Sequence, residues 1–415
     1  MQLREMIIGS RLLKFPNSIG KLKHLQKLTV CYIKTLREEF FHLRSLKYLR
    51  MGTGMKLLPK AFGNLTNLQH LNLSGCNCLQ LLPNSLGNIT NLQYLDLSGC
   101  SNLQMLPKSF GNLLRLKHLC LTDCSKLTLS NETLGNISTL ESLDISNCQK
   151  MDVVPLQITR QWSLQKLYLW DTNLKELPNA IGNLSNLEIL LLNSPKLEDL
   201  PASFCNLMCL RELRLHFCNN LKCLPDSIGE LKQLTEFHLW YAGSIEYLPI
   251  GVTELNNLEI LDVRYCPLRA LPFARVEMVG AGKEPLTDLR EGRLLHSSID
   301  KCMLRLKDLQ LWGTKIKELS FPRGVCPNLL HINIIYGHDL VEVGELPTTL
   351  IPLELQHCSP LKEITGLCGL EKLRRLHIYG CDRVEELPGL ETLISLDLKS
   401  VVEMKRKRKL KWNWG

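Results

Sequence analysis

The chain has 415 residues, of which 45 % are hydrophobic, 22 % are charged and only 6 % are aromatic, a composition that indicates a folded protein rich in leucine. The formal net charge is +9, but six basic residues face a single acid in the last thirteen residues, so the rest of the chain is nearly balanced. This distribution excludes a nucleic-acid interpretation based on total charge. The sequence has no run of about eighteen apolar residues, so no membrane span is predicted. The first residues also lack the basic-then-apolar order of a signal peptide.

A repeat of 20–24 residues runs through almost the whole chain. Its form is LxxLxLxxCxxLxxLPxxxGNLxx, as in the segment LQHLNLSGCNCLQLLPNSLGNITN. Periods in this range are typical of leucine-rich repeats, in which one repeat cannot bury its own apolar face and must stack on its neighbours. Seventeen repeats are counted, and their first leucines are Leu3, Leu25, Leu46, Leu68, Leu92, Leu116, Leu140, Leu164, Leu187, Leu210, Leu234, Leu258, Leu306, Leu329, Leu350, Leu373 and Leu393.

Each part of the repeat has a structural interpretation. Alternation in LxL predicts a short strand with Leu71 and Leu73 pointing inward and Asn72 pointing outward. Gly87 and Asn88 suit a turn on the return path, which we expect to contain short 3₁₀ turns rather than long helices. The predicted fold is therefore an α/β repeat solenoid, a leucine-rich-repeat horseshoe with a parallel concave β-sheet and short 3₁₀ or irregular convex segments.

The repeat pattern is interrupted once. Between Leu258 and Leu306 lie two repeat lengths with only one clear repeat. The chain is thus divided into repeats at 1–272, an irregular segment at 273–305, repeats at 306–400 and a basic tail at 401–415. The irregular segment is either a degenerate repeat or an inserted loop, and an inserted loop is a candidate contact element. The tail KRKRKLK resembles a nuclear-localisation or anionic-surface patch, although we expect a solvated, disordered end.

Cysteines and glycosylation sequons also follow the repeat. Eight of the seventeen cysteines occupy the same position of the repeat, hereafter the cysteine column, where other repeats have small, uncharged residues. This pattern indicates reduced thiols in the core, which fit a reducing compartment such as the cytoplasm or the nucleus. The pairs Cys76–Cys78 and Cys205–Cys209 lack the second pair or histidines of a metal site, so no metal is predicted. We interpret six sequons as unused by-products of the repeated GNLTN phrase; they are Asn64, Asn72, Asn88, Asn131, Asn136 and Asn183.

Motifs of catalysis are absent from the sequence. The patterns GxxxxGK[ST], GxSxG and HExxH do not occur. The segment Gly280–Lys283 faintly resembles a phosphate loop, but Glu284 stands where a serine or threonine is needed. We therefore expect no enzyme activity and no cofactor.

Outward strand positions predict where a partner binds. In the early repeats these positions are small and polar, whereas later repeats place aromatic and basic residues there, the types that dominate binding hot spots. Surface filling is the alternative interpretation. A weaker group comprises Tyr336, Arg375, His377 and Tyr379. The residues predicted to bind a protein partner are Tyr168, Trp170, Arg214, His216, Phe217, His238, Trp240, Tyr241, Arg264, Tyr265 and Trp312.

The phrase CxxLxxLPxxfGNLtNLqxLxLsgC resembles the leucine-rich-repeat region of plant intracellular nucleotide-binding immune receptors, the NLR disease-resistance proteins, over roughly residues 3–400. The segment Leu224–Gly229 is also similar to plant intracellular Ras-group repeat proteins. The first resemblance implies a domain that recognises pathogen effectors or guarded host proteins and restrains a nucleotide-binding module. That module and the signalling domain are absent from this chain, so nucleotide binding is not implied. Since both ends lack obvious caps, we expect a fragment, a truncated product or a repeat-only relative.

Three functional hypotheses remain open. The first is a cytoplasmic, alternatively nuclear, recognition module for plant defence signalling, which binds a protein and no specific nucleic acid. The second is an extracellular receptor ectodomain, although the NxLxGxIP phrase usual in such plant receptors is missing. The third is a scaffold for a GTPase pathway. The ligand and the oligomeric state are not predicted.

Overall fold

The computed structural model describes residues 3–129, 134, 137–273, 302–322 and 324–393. It divides into two compact units, Met1–Leu197 and Glu198–Gly415. In the described part of the chain, each of the sixteen first leucines from Leu3 to Leu373 is followed, two residues later, by a strand. The fold prediction from the repeat is thereby confirmed. The remainder of the last repeat after Leu393, and the basic tail, lie outside the described residues.

The first unit contains nine parallel strands that follow one another in chain order. Its strands are β1 Glu5–Lys14, β2 Lys27–Thr35, β3 Tyr48–Thr53, β4 His70–Asn72, β5 Tyr94–Asp96, β6 His118–Cys120, β7 Ser142–Asp144, β8 Lys166–Leu169 and β9 Ile189–Asn193. Short 3₁₀ helices form the return segments; they are Asn17–Lys21, Glu38–His42, Lys60–Asn64, Asn84–Asn88, Lys108–Asn112, Ile158–Arg160 and Asn179–Asn183.

The second unit contains a seven-stranded parallel sheet and a smaller three-stranded parallel sheet. The main strands are β10 Glu212–His216, β11 Glu236–Trp240, β12 Ile260–Arg264, β13 Asp308–Trp312, β15 His331–Ile335, β17 Pro352–Gln356 and β19 Arg375–Tyr379. The smaller sheet comprises β14 Glu318–Leu319, β16 Glu342–Val343 and β18 Glu363–Ile364. The 3₁₀ helices are Ala202–Asn206, Asp226–Glu230, Ile250–Glu254 and Leu390–Thr392.

The interruption of the repeat falls between β12 and β13. These two strands pair directly, with Ile260 opposite Asp308 and Arg264 opposite Trp312. The sheet therefore continues from one to the other without an intervening strand. Residues 274–301 of the irregular segment lie outside the described residues.

Stacked repeats bury the leucines. Leu71 and Leu73 are fully buried, while Asn72 faces the outer side of its strand. On the return path Pro83 directly precedes a 3₁₀ helix, which it favours because its ring fixes φ near the value required there. A Cβ added at Gly87 would lie 2.3 Å from the carbonyl oxygen of Ser109 in the next repeat. Glycine at this position therefore lets neighbouring return segments pack closely.

The cysteine column lies inside the stack. The thiol of Cys100 donates to the carbonyl oxygen of Leu73 over 3.4 Å, and that of Cys124 donates to Leu97 over 3.2 Å. Burial raises the pKa of the Cys124 thiol to about 12. All seventeen cysteines lie in the described ranges, and none of them forms a disulfide bond. Thiols of this column thus link a coil to the preceding one, as in these two hydrogen bonds.

Candidate functional site

Four neighbouring strands of the second unit, β10–β13, carry most of the residues predicted to bind a partner. Their parallel register aligns side chains from successive strands into rows, about 4.8 Å from one strand to the next. The first row holds Glu212, Glu236, Ile260 and Asp308; the middle row Arg214, His238, Asp262 and Gln310; and the last row His216, Trp240, Arg264 and Trp312.

The last row forms a continuous stack of planar groups, hereafter the stacked row. The imidazole of His216 lies parallel to the indole of Trp240, with ring centroids 4.2 Å apart. The guanidinium carbon of Arg264 lies 4.6 Å from the Trp240 ring centroid and 3.9 Å from that of Trp312. Such cation–π contacts are favourable when the cation is partly desolvated. Each plane therefore restricts the movement of the next.

Asp262, in the middle row, fixes the position of Arg264 in the stacked row. Its carboxylate accepts a 2.7 Å hydrogen bond from Nε of Arg264, and its other oxygen lies 3.3 Å from Nδ1 of His238. Burial alone raises the pKa of Asp262, but the hydrogen bonds from His238 and Arg264 outweigh burial and leave the pKa below its ordinary value. The buried carboxylate is thus ionised and fixes the Arg264 side chain between the two indoles.

His216 is the most deeply buried member of the stacked row, at 2 % exposure. Burial, followed by the nearby His238 and Arg214, lowers the pKa of His216 to about 4. The imidazole is therefore neutral at physiological pH. It contributes a flat surface under Trp240 rather than a charge.

A second aromatic stack, hereafter the exit ladder, consists of Phe217, Tyr241 and Tyr265, each one residue beyond a strand. Their ring centroids are 4.6 and 4.7 Å apart, and the side chains are 37–39 % exposed. All three residues have φ between 52° and 54°, a left-handed conformation that L residues seldom adopt. This common backbone geometry directs the three rings the same way. Gly313 takes the next position, where a Cβ would lie 2.7 Å from Cδ1 of Tyr265.

Acidic side chains neutralise the cations of this surface. Arg214 pairs with Glu212 at 2.5 Å, just as Arg264 pairs with Asp262. Glu236 and Asp308 add two further carboxylates in the first row. The surface is therefore aromatic, as the sequence indicated, but it is not basic. The sequence interpretation missed Glu212, Glu236 and Asp308 because it considered the two positions around the second strand leucine and not the position before the first.

The remaining two predicted residues, Tyr168 and Trp170, belong to the first unit. Tyr168 lies on β8, opposite Asp144 on β7 and Leu191 on β9. Trp170 follows the end of β8 and is 37 % exposed. Within that unit the structure therefore places them at outward positions of one repeat. The other nine residues lie in the second unit.

The first unit also has an aromatic row of its own. Tyr48, His70 and Tyr94 stack with centroid distances of 4.4 and 4.1 Å, and His118 follows at 6.1 Å. This row lies two residues before the small polar positions of the early repeats, such as Asn72 and Asp96, and was not predicted as a surface. In the weaker group of the second unit, Tyr336 stacks on His357 at 5.2 Å.

Metal-binding clusters and membrane-spanning helices are both absent from the described ranges. No cluster of three or more histidine, cysteine, aspartate or glutamate side chains there could hold a metal ion. No helix in that part of the chain is long and apolar enough to cross a bilayer.

Three sequence-family models match parts of the chain. They are described as "Leucine-rich repeat region" (residues 143–247), "Zer-1-like, Leucine-rich repeats" (residues 83–177) and "Leucine Rich Repeat" (residues 67–89). Among curated protein sequences none matches the chain. The fold and these matches define a leucine-rich-repeat solenoid, a class of domain that binds protein ligands.

Solved structures share this fold. A leucine-rich-repeat protein of Leptospira interrogans is 25 % identical, with 97 % of this chain and 93 % of that chain covered and a TM-score of 0.66. A TDR receptor is 18 % identical, with coverages of 93 % and 74 % and a TM-score of 0.55. The Arabidopsis receptor kinase HAESA, solved with the peptide hormone IDA and the co-receptor SERK1, is 20 % identical, with coverages of 93 % and 78 % and a TM-score of 0.50.

Proposed function

We propose that this chain is the recognition module of a plant intracellular immune-receptor type of protein and that a protein partner binds the outer face of β10–β13. The observation that carries the proposal is the pair of aromatic stacks on that face, the stacked row and the exit ladder. Tryptophan, tyrosine and arginine are enriched in binding hot spots. Because the planes already restrain one another, binding loses little further side-chain entropy.

The charges on the outer face of β10–β13 indicate which charges a complementary partner would carry. Glu236 and Asp308 lie beside the aromatic stacks, and no cation is paired with Asp308 among the ion pairs of the described residues. A partner that inserts apolar side chains against the stacks and presents lysine or arginine to these acids is complementary. Its class would be an effector or a guarded host protein, as the resemblance of the repeat implies. Tyr168 and Trp170 would provide a further contact on the first unit.

Two further features support the receptor-type proposal. The phrase CxxLxxLPxxfGNLtNLqxLxLsgC, which is most complete in the segment Cys76–Cys100, resembles the immune-receptor phrase. The column thiols are buried donors, a state that a reducing compartment maintains. We further propose that 273–305 is an insertion between two repeat arrays, 1–272 and 306–400, and that 401–415 is a solvated basic tail.

Tryptophan substitutions test the binding surface. The full chain would be immobilised and incubated with plant leaf extract, its partner identified by mass spectrometry, and the affinity of the purified partner measured by calorimetry. We expect Trp240→Ala with Trp312→Ala to weaken binding by roughly 10–100-fold, the range of hot-spot residues. Trp170→Ala tests the first-unit contact separately.

Trp162→Ala is the matched control, because Trp162 is 73 % exposed and lies on a return segment rather than on the strand surface. Its affinity is expected to equal that of the unchanged chain. Unchanged affinity of the double variant, with an unchanged circular dichroism spectrum, would remove the site assignment.

An extracellular ectodomain is the second candidate, and one observation favours it. The sequon asparagines Asn64, Asn88 and Asn183 are exposed at the ends of 3₁₀ helices, where a glycan has room, whereas Asn72 is bonded to Asp96 on the sheet. Glycosidase treatment of the native protein, followed by mass spectrometry of the peptides that contain these asparagines, separates the two candidates. A mass decrease at these asparagines in the native host protein supports the ectodomain.

A further inference from the structure

A row of exposed apolar side chains crosses five consecutive repeats of the first unit, away from the strand surface. These residues, hereafter the apolar stripe, recur at a constant interval of 24 positions just before the LP step or its equivalent. Four of them are 37–57 % exposed, and Leu129 is half-buried. The apolar stripe comprises Leu57, Leu81, Met105, Leu129 and Val153.

Backbone hydrogen bonds hold the apolar stripe in register. The amide of Gln80 donates to Lys56, that of Gln104 donates to Gln80, and that of Thr128 donates to Gln104. Parallel bridges also join Leu57 to Leu81 and Leu81 to Met105. Because neighbouring coils are about 4.8 Å apart, a row across five coils extends over roughly 19 Å.

Stacking of the repeats does not require apolar residues at this position. Several later repeats have carboxylates there, among them Glu176 in the first unit and Asp199, Glu318, Glu342 and Glu363 in the second, whereas others have Cys223, Tyr247 and Ala270. Some of these still form the equivalent parallel pairs, as Glu318 does with Glu342. The fold therefore does not require an apolar residue at this position, and contiguous exposed apolar side chains are typical of interaction sites.

Cations flank the apolar stripe on both sides. Among the described residues within three positions of it there are five lysines and a single acid, Asp152. The lysines are exposed, and they are Lys56, Lys60, Lys108, Lys126 and Lys150. The stripe is one residue wide and its side chains lie partly against the surface, so its shape suits a narrow cylinder better than the plane of a membrane.

We propose that the apolar stripe binds an acidic amphipathic helix of a protein partner. The turns of an α-helix rise 5.4 Å, close to the interval between coils, so apolar residues at i, i+3 or i+4, and i+7 can contact successive members of the stripe. Glutamate or aspartate on the flanks of that helix would meet the lysines. This surface belongs to the first unit and shares no residue with β10–β13.

Selection from a displayed library of helical peptides tests the proposal. The full chain would select peptides of about 14 residues, roughly 21 Å long when helical. We expect enriched sequences with one apolar face and acidic flanks. Their affinity should fall on the order of tenfold or more when Leu81→Glu and Met105→Glu are combined, which is about 1.4 kcal/mol or more. The later repeats show that the fold accepts glutamate at this position.

Leu114→Glu is the control, since Leu114 is 56 % exposed in the same unit but lies after a 3₁₀ helix rather than in the stripe. It should leave peptide affinity unchanged. The proposal is overturned if no amphipathic acidic sequence is enriched, or if the double variant binds the enriched peptides as tightly as the unchanged chain. Stronger binding to phosphatidylserine vesicles, lost in the double variant, would overturn it in favour of a membrane surface.

Discussion

At the residue scale, the burial of His216 in the stacked row makes the stability of the folded chain depend on pH. Its pKa in the folded chain is about 4, against 6.5 for an unperturbed histidine, because burial disfavours the imidazolium. Between these values the unfolded chain binds the proton and the folded chain does not. The contribution of His216 to stability is therefore complete above about pH 6.5 and decreases as the pH falls toward 4.

The variant His216→Phe keeps a flat ring against Trp240 but cannot bind a proton. The free energy of unfolding of the unchanged chain is expected to decrease by about 3 kcal/mol more than that of the variant between pH 6.5 and 4. Urea denaturation followed by circular dichroism at several pH values measures the difference. His118→Phe, at an exposed histidine, serves as the control. Parallel pH profiles for the unchanged chain and His216→Phe would contradict the prediction.

Individual residues also show how far a single sequence predicts such a surface. Trp240, Arg264 and Trp312 could be grouped because the leucine register gives their strand positions, and register alone makes them neighbours. The sandwich of Arg264 between two indoles, and its bond to the buried Asp262, depend on rotamers and burial. A one-dimensional pattern does not contain those quantities.

At the element scale, the return segments depend on glycine. Gly87→Ala would place a Cβ 2.3 Å from a backbone oxygen, which cannot move without shifting the next repeat. We expect a decrease in the free energy of unfolding of roughly 1–3 kcal/mol, as for other overpacked sites. Gly243→Ala is the control, since its nearest neighbour would be 3.7 Å away. Thermal unfolding that is equal for both variants would show that the close approach is not required.

The small sheet β14–β16–β18 aligns three glutamates, Glu318, Glu342 and Glu363. Partial burial, followed by the charges of the two neighbouring acids, raises the pKa of Glu342. A raised carboxyl pKa means that the folded chain binds this proton more readily than the unfolded chain. The repulsion is therefore present at neutral pH and is relieved as the pH falls through the raised value.

Glu342→Gln removes the central charge of this row. We expect the variant to be more stable at pH 7 by roughly 0.2–1 kcal/mol, the range for like charges that face each other across strands. The gain should disappear in acid, where the carboxyl of the unchanged chain is itself protonated. Urea midpoints at neutral and acidic pH measure it, and a loss of stability at pH 7 would refute the repulsion.

The positions of the strands were predicted more accurately than any other feature, because the leucines of each repeat indicate where a strand begins. Leu258 and Leu306 illustrate this, since each correctly anticipates a strand two residues later although 48 positions separate them. The direct pairing of β12 with β13 was not predictable, because hydropathy does not say whether an irregular segment adds a strand to a sheet. The half-buried row Tyr48–His70–Tyr94 was missed for a different reason, namely that it precedes the recurring LxL core of the repeat.

At the scale of the whole molecule, the thiols provide a test of the described packing. Four cysteines are exposed, two are half-buried and eleven are buried. We expect a thiol reagent to modify about four to six in the native, unreduced protein and all seventeen after denaturation, because buried protonated thiols are unreactive. Fewer than seventeen in the denatured, unreduced protein would reveal disulfides and favour the extracellular candidate.

The backbone conformation at the strand exits is the same for very different side chains. A φ between 52° and 60° is adopted at these positions by Asp123, Asn147, Phe217, Tyr241 and His357. The backbone there is set by the coil and not by the side chain it carries. The side chain at each exit position can consequently be substituted while the backbone keeps its conformation. Such substitutions would let the same fold acquire a new binding partner.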